Sequence, residues 1–366
     1  MEITGAKIID TTGEDFFITM HPDFPNDTSR KKFSSPFIDA ASRHGEDFVN
    51  RVSKRFLWKD ILEKDSKKLK QIYKNYKQKK WSHFSNNVNE YLPDWQVKEQ
   101  LDRNRALYQI LELCLFPIVT SKRHLDTIQL LCDFLIDVRT KDDKNFMIFL
   151  THLDQAKILE NTQNNSFKYT FRFFDLGKEF YPILIDWDPD KPDTGISKNL
   201  KLMNDTPFDK IKAFYVDGYE LACDSLVIIQ GLINIKYRMD YNSFPEHPTI
   251  NRGKPFTKTL DDYNRAPNAP KLGILFEEKL IDNWLNSAID PKLRNAIGHG
   301  DVEFDETKEI IKFAINKEKN QFVTLTYAEF LLNCIRLFTV IHQINHLVKM
   351  LYVHIYMTPN PKFGVK

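Results

Sequence analysis

The most informative stretch of the sequence reads DPKLRNAIGHG over residues 290–300. Asp290 is a good helix cap and Pro291 fits the first helical position, so the pattern predicts a helix that starts here. Asn295 and His299 lie four residues apart and therefore share one face of that helix. The stretch predicts a short helix that presents an amide and an imidazole on the same side.

Arg294 lies beside this face and adds a planar cation to it. Its side chain is long enough to bring the guanidinium close to the imidazole of His299, and a guanidinium matches the geometry of a phosphate. Gly298 leaves the backbone near His299 uncluttered, and Gly300 is suited to end the helix. The pattern therefore predicts a rim at which a phosphate-containing ligand can approach.

The composition is that of a globular protein with more than one domain. The chain has 366 residues, which exceeds the usual size of a single compact core. Apolar residues make up 42% and aromatic residues 13%, enough for a packed interior. Lys and Arg total 52 against 50 Asp and Glu, so the net charge by itself does not indicate a polyanionic partner. A nucleic-acid-binding surface would have to come from local clusters of charge.

The cysteines lie far apart and form no Cys-x-x-Cys pair, a pattern typical neither of a zinc ribbon nor of a disulfide framework. They predict buried thiols in a reducing compartment. The first residues lack the pattern of a signal peptide, and no apolar stretch approaches the ~20 residues that span a bilayer. We predict a cytoplasmic protein with no membrane partner and no cofactor.

Two further histidines, His342 and His346, are four residues apart and share one face of the predicted last helix. This spacing suits a pair of metal ligands. No third ligand is evident from the sequence, so two partly buried helical histidines are the simpler interpretation. No metal site is predicted.

Residues 1–188 predict an α+β N-terminal domain that senses a signal or positions a substrate. Short apolar runs broken by Gly, Pro and Asp predict a strand-rich piece over residues 1–35. Apolar residues at three- and four-residue spacing then predict helices over residues 37–62, 95–116 and 124–138.

The N-terminal domain is predicted to end in a β-hairpin and a linker. Two aromatic-rich segments, 167–174 and 180–187, flank a turn-like sequence and fit the two strands of the hairpin. The segment 189–204 contains two prolines and a glycine and is typical of a linker.

Residues 205–366 predict a second, helical domain. Thr206 as a cap and Pro207 at the first position begin a long apolar-periodic helix that continues to about residue 239. Another helix is predicted over residues 272–285. Mainly α structure is therefore expected for the chain as a whole.

Three other signals complete this second domain. Prolines recur through residues 244–270, which predicts a long loop. Residues 310–314 and 321–325 bracket a turn and predict a small β-hairpin. Thr326 and Glu329 form a capping box that predicts the start of the last helix.

The segment RNAIGH at residues 294–299 resembles the motif of the HEPN family, in which an Arg, usually followed by a polar residue, precedes a His by four to six positions. The order of predicted elements over residues 205–357 is also similar to that family: a long helix, a second helix, the motif at the start of a third, and a last helix. The resemblance implies a HEPN-like helical bundle and metal-independent cleavage of RNA. It does not extend to the N-terminal part.

The resemblance also implies a role for each residue of the motif. His299 would be the general acid or base, Arg294 the clamp on the phosphate, and Asn295 an orienting hydrogen-bond partner. A histidine ordinarily titrates near ~6.5, which suits proton transfer at neutral pH. In the family two motifs face one another across a dimer interface. The single copy in this chain therefore implies a homodimer.

Two basic groups are candidate contacts for RNA. A lysine-rich run over residues 64–80, interleaved with Tyr73, Tyr76 and Trp81, has the composition of a single-strand RNA contact and equally that of an exposed basic helix. The predicted proline-rich loop is expected to border the motif and to hold substrate phosphates through four basic residues. These substrate-binding candidates are Arg252, Lys254, Lys258 and Arg265.

Polar side chains of the predicted long helix are candidates to support the motif as an acid or an amide. Periodicity does not choose among them, because several point to different sides of the helix. The candidates are Asp217, Glu220, Asp224 and Asn234.

The resemblance implies an effector of stress, toxin or phage-defence type that cuts tRNA or messenger RNA and responds to an activating ligand. The alternative is a catalytically silent HEPN-like module that mediates dimerisation or pairs with a nucleotidyltransferase-type antitoxin. The segment is also compatible with a plain helix start in which Asn295 and His299 only hydrogen-bond the backbone.

Overall fold

A computed structural model describes residues 26–27, 36–119, 121–187, 190, 200–202, 206–244, 258–277, 285, 288–316 and 320–357 of the chain. The described part is mainly helical, as the sequence predicts. None of the described helices is both long enough and apolar enough to cross a membrane.

Eight helices make up the described first half of the chain. In order they are α1 (Pro36–His44), α2 (Phe48–Lys77), α3 (Trp81–Asn89), α4 (Gln100–Val119), α5 (Lys122–Lys141), α6 (Asp143–Gln155), α7 (Ile158–Asp175) and α8 (Gly177–Asp186). Side-chain caps begin two of them, since Ser121 accepts a hydrogen bond from the His124 amide and Asp142 one from the Asn145 amide. The strand-rich piece predicted for residues 1–35 lies outside the described residues, apart from β1 (Asn26–Asp27).

The β-hairpin predicted over 167–174 and 180–187 is wrong. These residues form the C-terminal half of α7 and most of α8. The aromatic residues of α7 that are buried, among them Phe167 and Phe173, lie on the helix face that packs into the core. A short aromatic run does not distinguish a buried helix from a buried strand, and here the tertiary packing selects the helix.

The described second half contains five helices and a small sheet. The helices are α9 (Phe208–Arg238), α10 (Leu260–Arg265), α11 (Asn268–Glu277), α12 (Pro291–Gly298) and α13 (Tyr327–Met357). The predicted long helix is confirmed, but Pro207 rather than Thr206 occupies its cap position and no side chain caps it. The predicted capping box at α13 is confirmed, because Thr326 and Glu329 exchange backbone-to-side-chain hydrogen bonds.

The segment predicted as one long loop over 244–270 is partly helical. A capping box of Thr259 and Asp262 begins α10, and α11 starts at Asn268 between two prolines. Pro267 directly precedes α11 and Pro270 lies in its first turn, positions at which a helix tolerates proline. Residues 245–257 lie outside the described part.

The predicted hairpin in this half is confirmed and has a third strand. The strands β3 (Val302–Asp305), β4 (Ile310–Asn316) and β5 (Gln321–Thr326) form an antiparallel sheet in that order. Ile311 pairs with Leu325 on one side and with Phe304 on the other. Its side chain is buried, so the inward-facing row of the sheet joins the core. A separate short pair joins β1 to β2 (Leu200–Lys201).

One hydrophobic core contains residues from both halves of the chain. Helices α9 and α13 lie against helices of the first half, including α5 and α7. Buried hydrogen bonds also join the two halves. The hydroxyl of Tyr108 donates to Asn345 at 2.9 Å, and the amide of Gln163 donates to Tyr108 at 3.0 Å. The predicted division into domains at 189–204 stays a prediction, since most of that segment lies outside the described part.

Candidate functional site

The helix that carries the motif begins as the sequence predicts. The carboxylate of Asp290 accepts hydrogen bonds from the amides of Lys292 at 2.8 Å and Leu293 at 3.3 Å, and Pro291 occupies the first position of α12. Leu293 and Ala296 are buried, and α12 packs against α9 and β4. The outer face therefore stays at the surface.

Arg294 is held in place by Glu220 of α9. Its Nε and Nη2 atoms lie 2.6 Å and 2.5 Å from the Oε1 atom of Glu220. The other oxygen of Glu220 accepts a hydrogen bond of 2.6 Å from the amide of Asn268 on α11. Both oxygens of the carboxylate are thus used, and Glu220 links side chains from α11 and α12.

The guanidinium lies over Gly298, one residue before the histidine of the motif. A Cβ atom at position 298 would be 3.3 Å from Nη1 of Arg294, so a larger residue here would require the guanidinium to shift by a few tenths of an ångström. Asn295 and His299 are exposed, and the His299 amide donates to the Asn295 carbonyl at the end of α12. The next residue, Gly300, has a φ of +72° that favours glycine and turns the chain towards β3.

Arg294 and Asn295 lie on α12 and His299 directly follows it, and all three residues are at least partly exposed. Arg294 is oriented by Glu220 and about one third of its side chain is exposed. Within the described residues, the side chains of Asn295 and His299 have no hydrogen bond or ion pair. The arrangement offers a fixed cation, an amide and an imidazole to a ligand from solvent.

Sequence periodicity did not identify Glu220 among the four polar candidates of the long helix. The other three have different partners in the structure. Asp217 pairs with Arg172, Asp224 lies 3.9 Å from the ammonium of Lys271, and Asn234 donates to the carbonyl of Tyr241. Asn268 was not predicted at all, because its contact with Glu220 depends on how α11 packs against α9.

Two buried side chains of α9, Tyr219 and Cys223, lie near the ion pair of Arg294 and Glu220. The hydroxyl of Tyr219 is buried beside Cys223, and burial raises the pKa of the Cys223 thiol to about 12. Burial also raises the pKa of Tyr219, although the charge of Arg294 opposes that shift. Both side chains are therefore uncharged at neutral pH and add no charge to the Arg294 surface.

The four basic residues predicted to bind substrate divide into two pairs. Lys258 and Arg265 are exposed at the two ends of α10. Arg252 and Lys254 lie outside the described residues. The helix that follows α10 supplies Asn268, so this part of the chain does reach the Glu220 carboxylate.

The lysine-rich run over 64–80 does not present an aromatic surface to solvent. Tyr73 is buried and stacks on Phe167 with ring centroids 4.3 Å apart. Tyr76 and Trp81 both pack against the buried ring of Phe84. With these rings used in packing, the exposed basic helix is the interpretation that the structure favours.

The chain matches no protein-family model, and neither the curated proteins nor the solved structures show a significant match to it. The resemblance to HEPN proteins consequently depends on the motif and its surroundings alone.

Proposed function

We propose that the chain is a metal-independent endoribonuclease of the HEPN type, acting on tRNA or messenger RNA in a defence or toxin context. The observation that carries the proposal is the position of the Arg294 guanidinium, held by Glu220 over Gly298 and immediately before the exposed His299. A phosphate bound at the guanidinium would lie beside an imidazole that is able to transfer a proton.

The reaction assigned to the site is an attack by the ribose 2′-oxygen on the adjacent phosphorus. The 2′-hydroxyl loses its proton, the bond from phosphorus to the 5′-oxygen breaks, and the leaving oxygen takes up a proton. A 2′,3′-cyclic phosphate and a 5′-hydroxyl end result. His299 would serve as base or acid, Arg294 would stabilise charge on the phosphate, and Asn295 would orient one of these groups.

Two further parts of the proposal concern binding. Lys258 and Arg265, with Arg252 and Lys254, are assigned to substrate phosphates. A homodimer is assigned as the working form, because one imidazole does not easily fill both proton-transfer roles and a two-fold axis duplicates it.

The test is cleavage of a labelled RNA in the presence of excess EDTA, with analysis of the ends. We expect cyclic phosphate ends and a loss of roughly 10²-fold or more for His299→Ala and for Arg294→Ala. His83→Ala and Arg105→Ala, which alter exposed residues of α3 and α4, are the matched controls and should retain full activity. Cleavage that stops on chelation and returns with a divalent ion, while circular dichroism stays unchanged, would contradict the proposal.

One observation favours a second candidate, a silent module that mediates dimerisation or pairs with an antitoxin of nucleotidyltransferase type. The charge of Arg294 is already compensated by Glu220 in the single chain. A compensated guanidinium attracts a phosphate less strongly than a free one. If the purified chain binds RNA or a partner chain and never cleaves, and His299→Ala changes nothing, this candidate replaces the nuclease.

A further inference from the structure

A cluster of three ligand-type side chains lies in the core, away from the Arg294 surface. Glu112 projects from α4, and His342 and His346 project from α13. The Oε1 atom of Glu112 lies 3.1 Å from Nε2 of His342 and 2.8 Å from Nε2 of His346. Their ligand atoms all lie within 4.8 Å of one another.

The helix geometry explains why the two imidazoles converge. His342 and His346 are one turn apart on the same face of α13, so their rings are neighbours with centroids 4.8 Å apart. Two histidines at this spacing on one helix are a common way to hold a zinc ion, provided that a third ligand comes from elsewhere. Glu112 supplies that ligand from a helix more than two hundred residues earlier in the chain.

Hydrogen bonds within the protein do not satisfy every buried polar atom of this cluster. The side chain of His342 is almost fully buried and that of His346 is 11% exposed. Although Nε2 of His346 is close to Glu112, its direction does not meet hydrogen-bond geometry, and the buried atom has no hydrogen-bond partner. A buried polar atom without a well-aligned hydrogen bond is costly, whereas a cation between the three groups would contact all of them.

The surroundings also support ligation through Nε2 of His342. Its other nitrogen, Nδ1, lies 3.1 Å from Nε2 of His124, and Nδ1 of His124 lies 3.2 Å from the side-chain amide of Gln343. With a metal on Nε2, the proton of His342 sits on Nδ1 and is donated to His124. His124 then donates from Nδ1 to the oxygen of Gln343, once that amide is rotated by half a turn. The chain of contacts can therefore hold the tautomer that ligation requires.

We propose that Glu112, His342 and His346 form a binding site for one divalent transition-metal ion, with zinc as the best match. Two imidazoles and one carboxylate are a ligand set that zinc accepts, and the ion would take water or the second carboxylate oxygen as its fourth ligand. A quarter of the Glu112 side chain is exposed, which gives water a route to that position. The ion would tie α4 to α13 and thereby stabilise the contact between the two halves of the chain.

This site is independent of the proposed ribonuclease chemistry. The Arg294 surface is built from α9, α11 and α12, and the cluster from α4 and α13. Its test measures metal binding and stability, so a negative result in the RNA assay does not affect it.

The deciding experiment uses the unaltered full chain, stripped with a chelator and dialysed against metal-free buffer. Zn²⁺ is then titrated by calorimetry, and Co²⁺ is added as an absorbing substitute. We expect one ion per chain, a visible Co²⁺ spectrum of four- or five-coordinate type, and a higher Tm with Zn²⁺. A folded chain that binds less than a tenth of an equivalent and shows neither change would overturn the proposal.

Variants then identify the ligands. We expect Glu112→Gln and His346→Gln to abolish the Co²⁺ spectrum and the Zn²⁺-dependent rise in Tm. His354→Gln is the matched control, because it alters the same helix beyond the cluster, where His354 contacts Arg139. His124→Gln changes only a positioning residue and is expected to weaken Zn²⁺ binding by roughly 10- to 100-fold. Equal binding by wild type and both ligand variants would show that the ion sits elsewhere and would overturn the assignment.

Discussion

At the scale of the residue, the central finding is that Arg294 has a fixed orientation. A surface arginine normally samples many rotamers, and ordering it costs entropy. Here two nitrogens contact one oxygen of Glu220, and Asn268 holds the other oxygen. The third nitrogen group, Nη1, lies over Gly298. The guanidinium of Arg294 is therefore oriented by the protein itself, without a ligand. A group that is oriented in advance binds a phosphate without a further loss of side-chain entropy.

This arrangement predicts that Glu220 acts as a positioning residue. Since the ion pair is about one third exposed, Glu220→Ala should change the free energy of unfolding by no more than about 1 kcal/mol. The same change should lower kcat for RNA cleavage by roughly 10-fold or more, because the guanidinium loses its orientation. Glu220→Gln retains an acceptor and should keep more of the activity.

Asp217→Asn is the control for this prediction, since it removes another ion pair of α9, the one with Arg172. It should leave cleavage unchanged. Wild-type kcat in Glu220→Ala, or an equal loss in Asp217→Asn, would show that Glu220 does not position the site.

At the scale of the element, α12 is a helix of two turns whose stability depends on its ends. It is too short to persist by propensity alone. The Asp290 cap, the buried side chains of Leu293 and Ala296, and the turn at Gly300 together keep it in place. The orientation of Arg294, Asn295 and His299 consequently depends on the residues at the two ends of α12 as well as on the motif itself.

Removal of the Asp290 cap should therefore destabilise α12, the helix that carries the motif. We expect Asp290→Ala to reduce the free energy of unfolding by about 1 kcal/mol. Hydrogen exchange of the amides of Lys292 and Leu293 should accelerate, because both lose their acceptor. Asp209→Ala is the control, since Asp209 lies in the first turn of α9, is highly exposed and forms an ion pair with Lys212. Unchanged exchange in Asp290→Ala would refute the role of the cap.

At the scale of the whole molecule, buried polar contacts join distant parts of the chain. Asp186 at the end of α8 accepts from Arg43 at 2.9 Å and lies 3.2 Å from His44, both at the end of α1. All three side chains are largely buried. Burial alone would raise the pKa of Asp186, but the hydrogen bond with His44 and the charge of Arg43 outweigh it and hold the pKa below its usual 3.8.

The sign of this shift gives a pH dependence. A carboxyl whose pKa is lowered on folding adds stability that is present above its ordinary pKa and is lost as the pH falls below it. We expect Asp186→Asn to cost about 3 kcal/mol at pH 7, because it leaves Arg43 without its buried partner. The difference from wild type should shrink below about pH 4.

Denaturant unfolding at pH 7 and pH 3.5 measures this effect. Asp175→Asn removes an exposed ion pair with Lys70 and serves as the control, with an expected change below about 1 kcal/mol at both values. A difference between Asp186→Asn and wild type that grows as the pH falls would contradict the assignment.

The proposed homodimer is also a property of the whole molecule. Mixed dimers in which one chain carries Arg294→Ala and its partner His299→Ala retain one intact copy of each residue. If both chains build each site, their cleavage rate should lie well below that of wild type and above that of either variant alone. A chain that is monomeric at the assay concentration and cleaves RNA at the full rate would exclude this arrangement.

The features that could be predicted from the sequence alone are those that join residues close together along the chain. Asp290 and Pro291 begin α12, Thr326 and Glu329 begin α13, and β4 pairs with β5. Each helix start depends on backbone amides within three residues of the cap, and β4 and β5 are neighbours along the chain, with Ile310 and Thr326 as their most distant pair. A local pattern is therefore sufficient to predict all three features.

Which distant side chains meet depends on the tertiary packing and could not be predicted from local patterns. Glu220 and Arg294 are 74 residues apart, and Glu112 and His342 are 230 apart. The aromatic segments of α7 and α8 also took their helical form from the core into which they pack. Periodicity predicts which face of its own helix a residue lies on. The helix that packs against this face is determined by how all the helices fit together in the core, and a single segment carries no information about that arrangement.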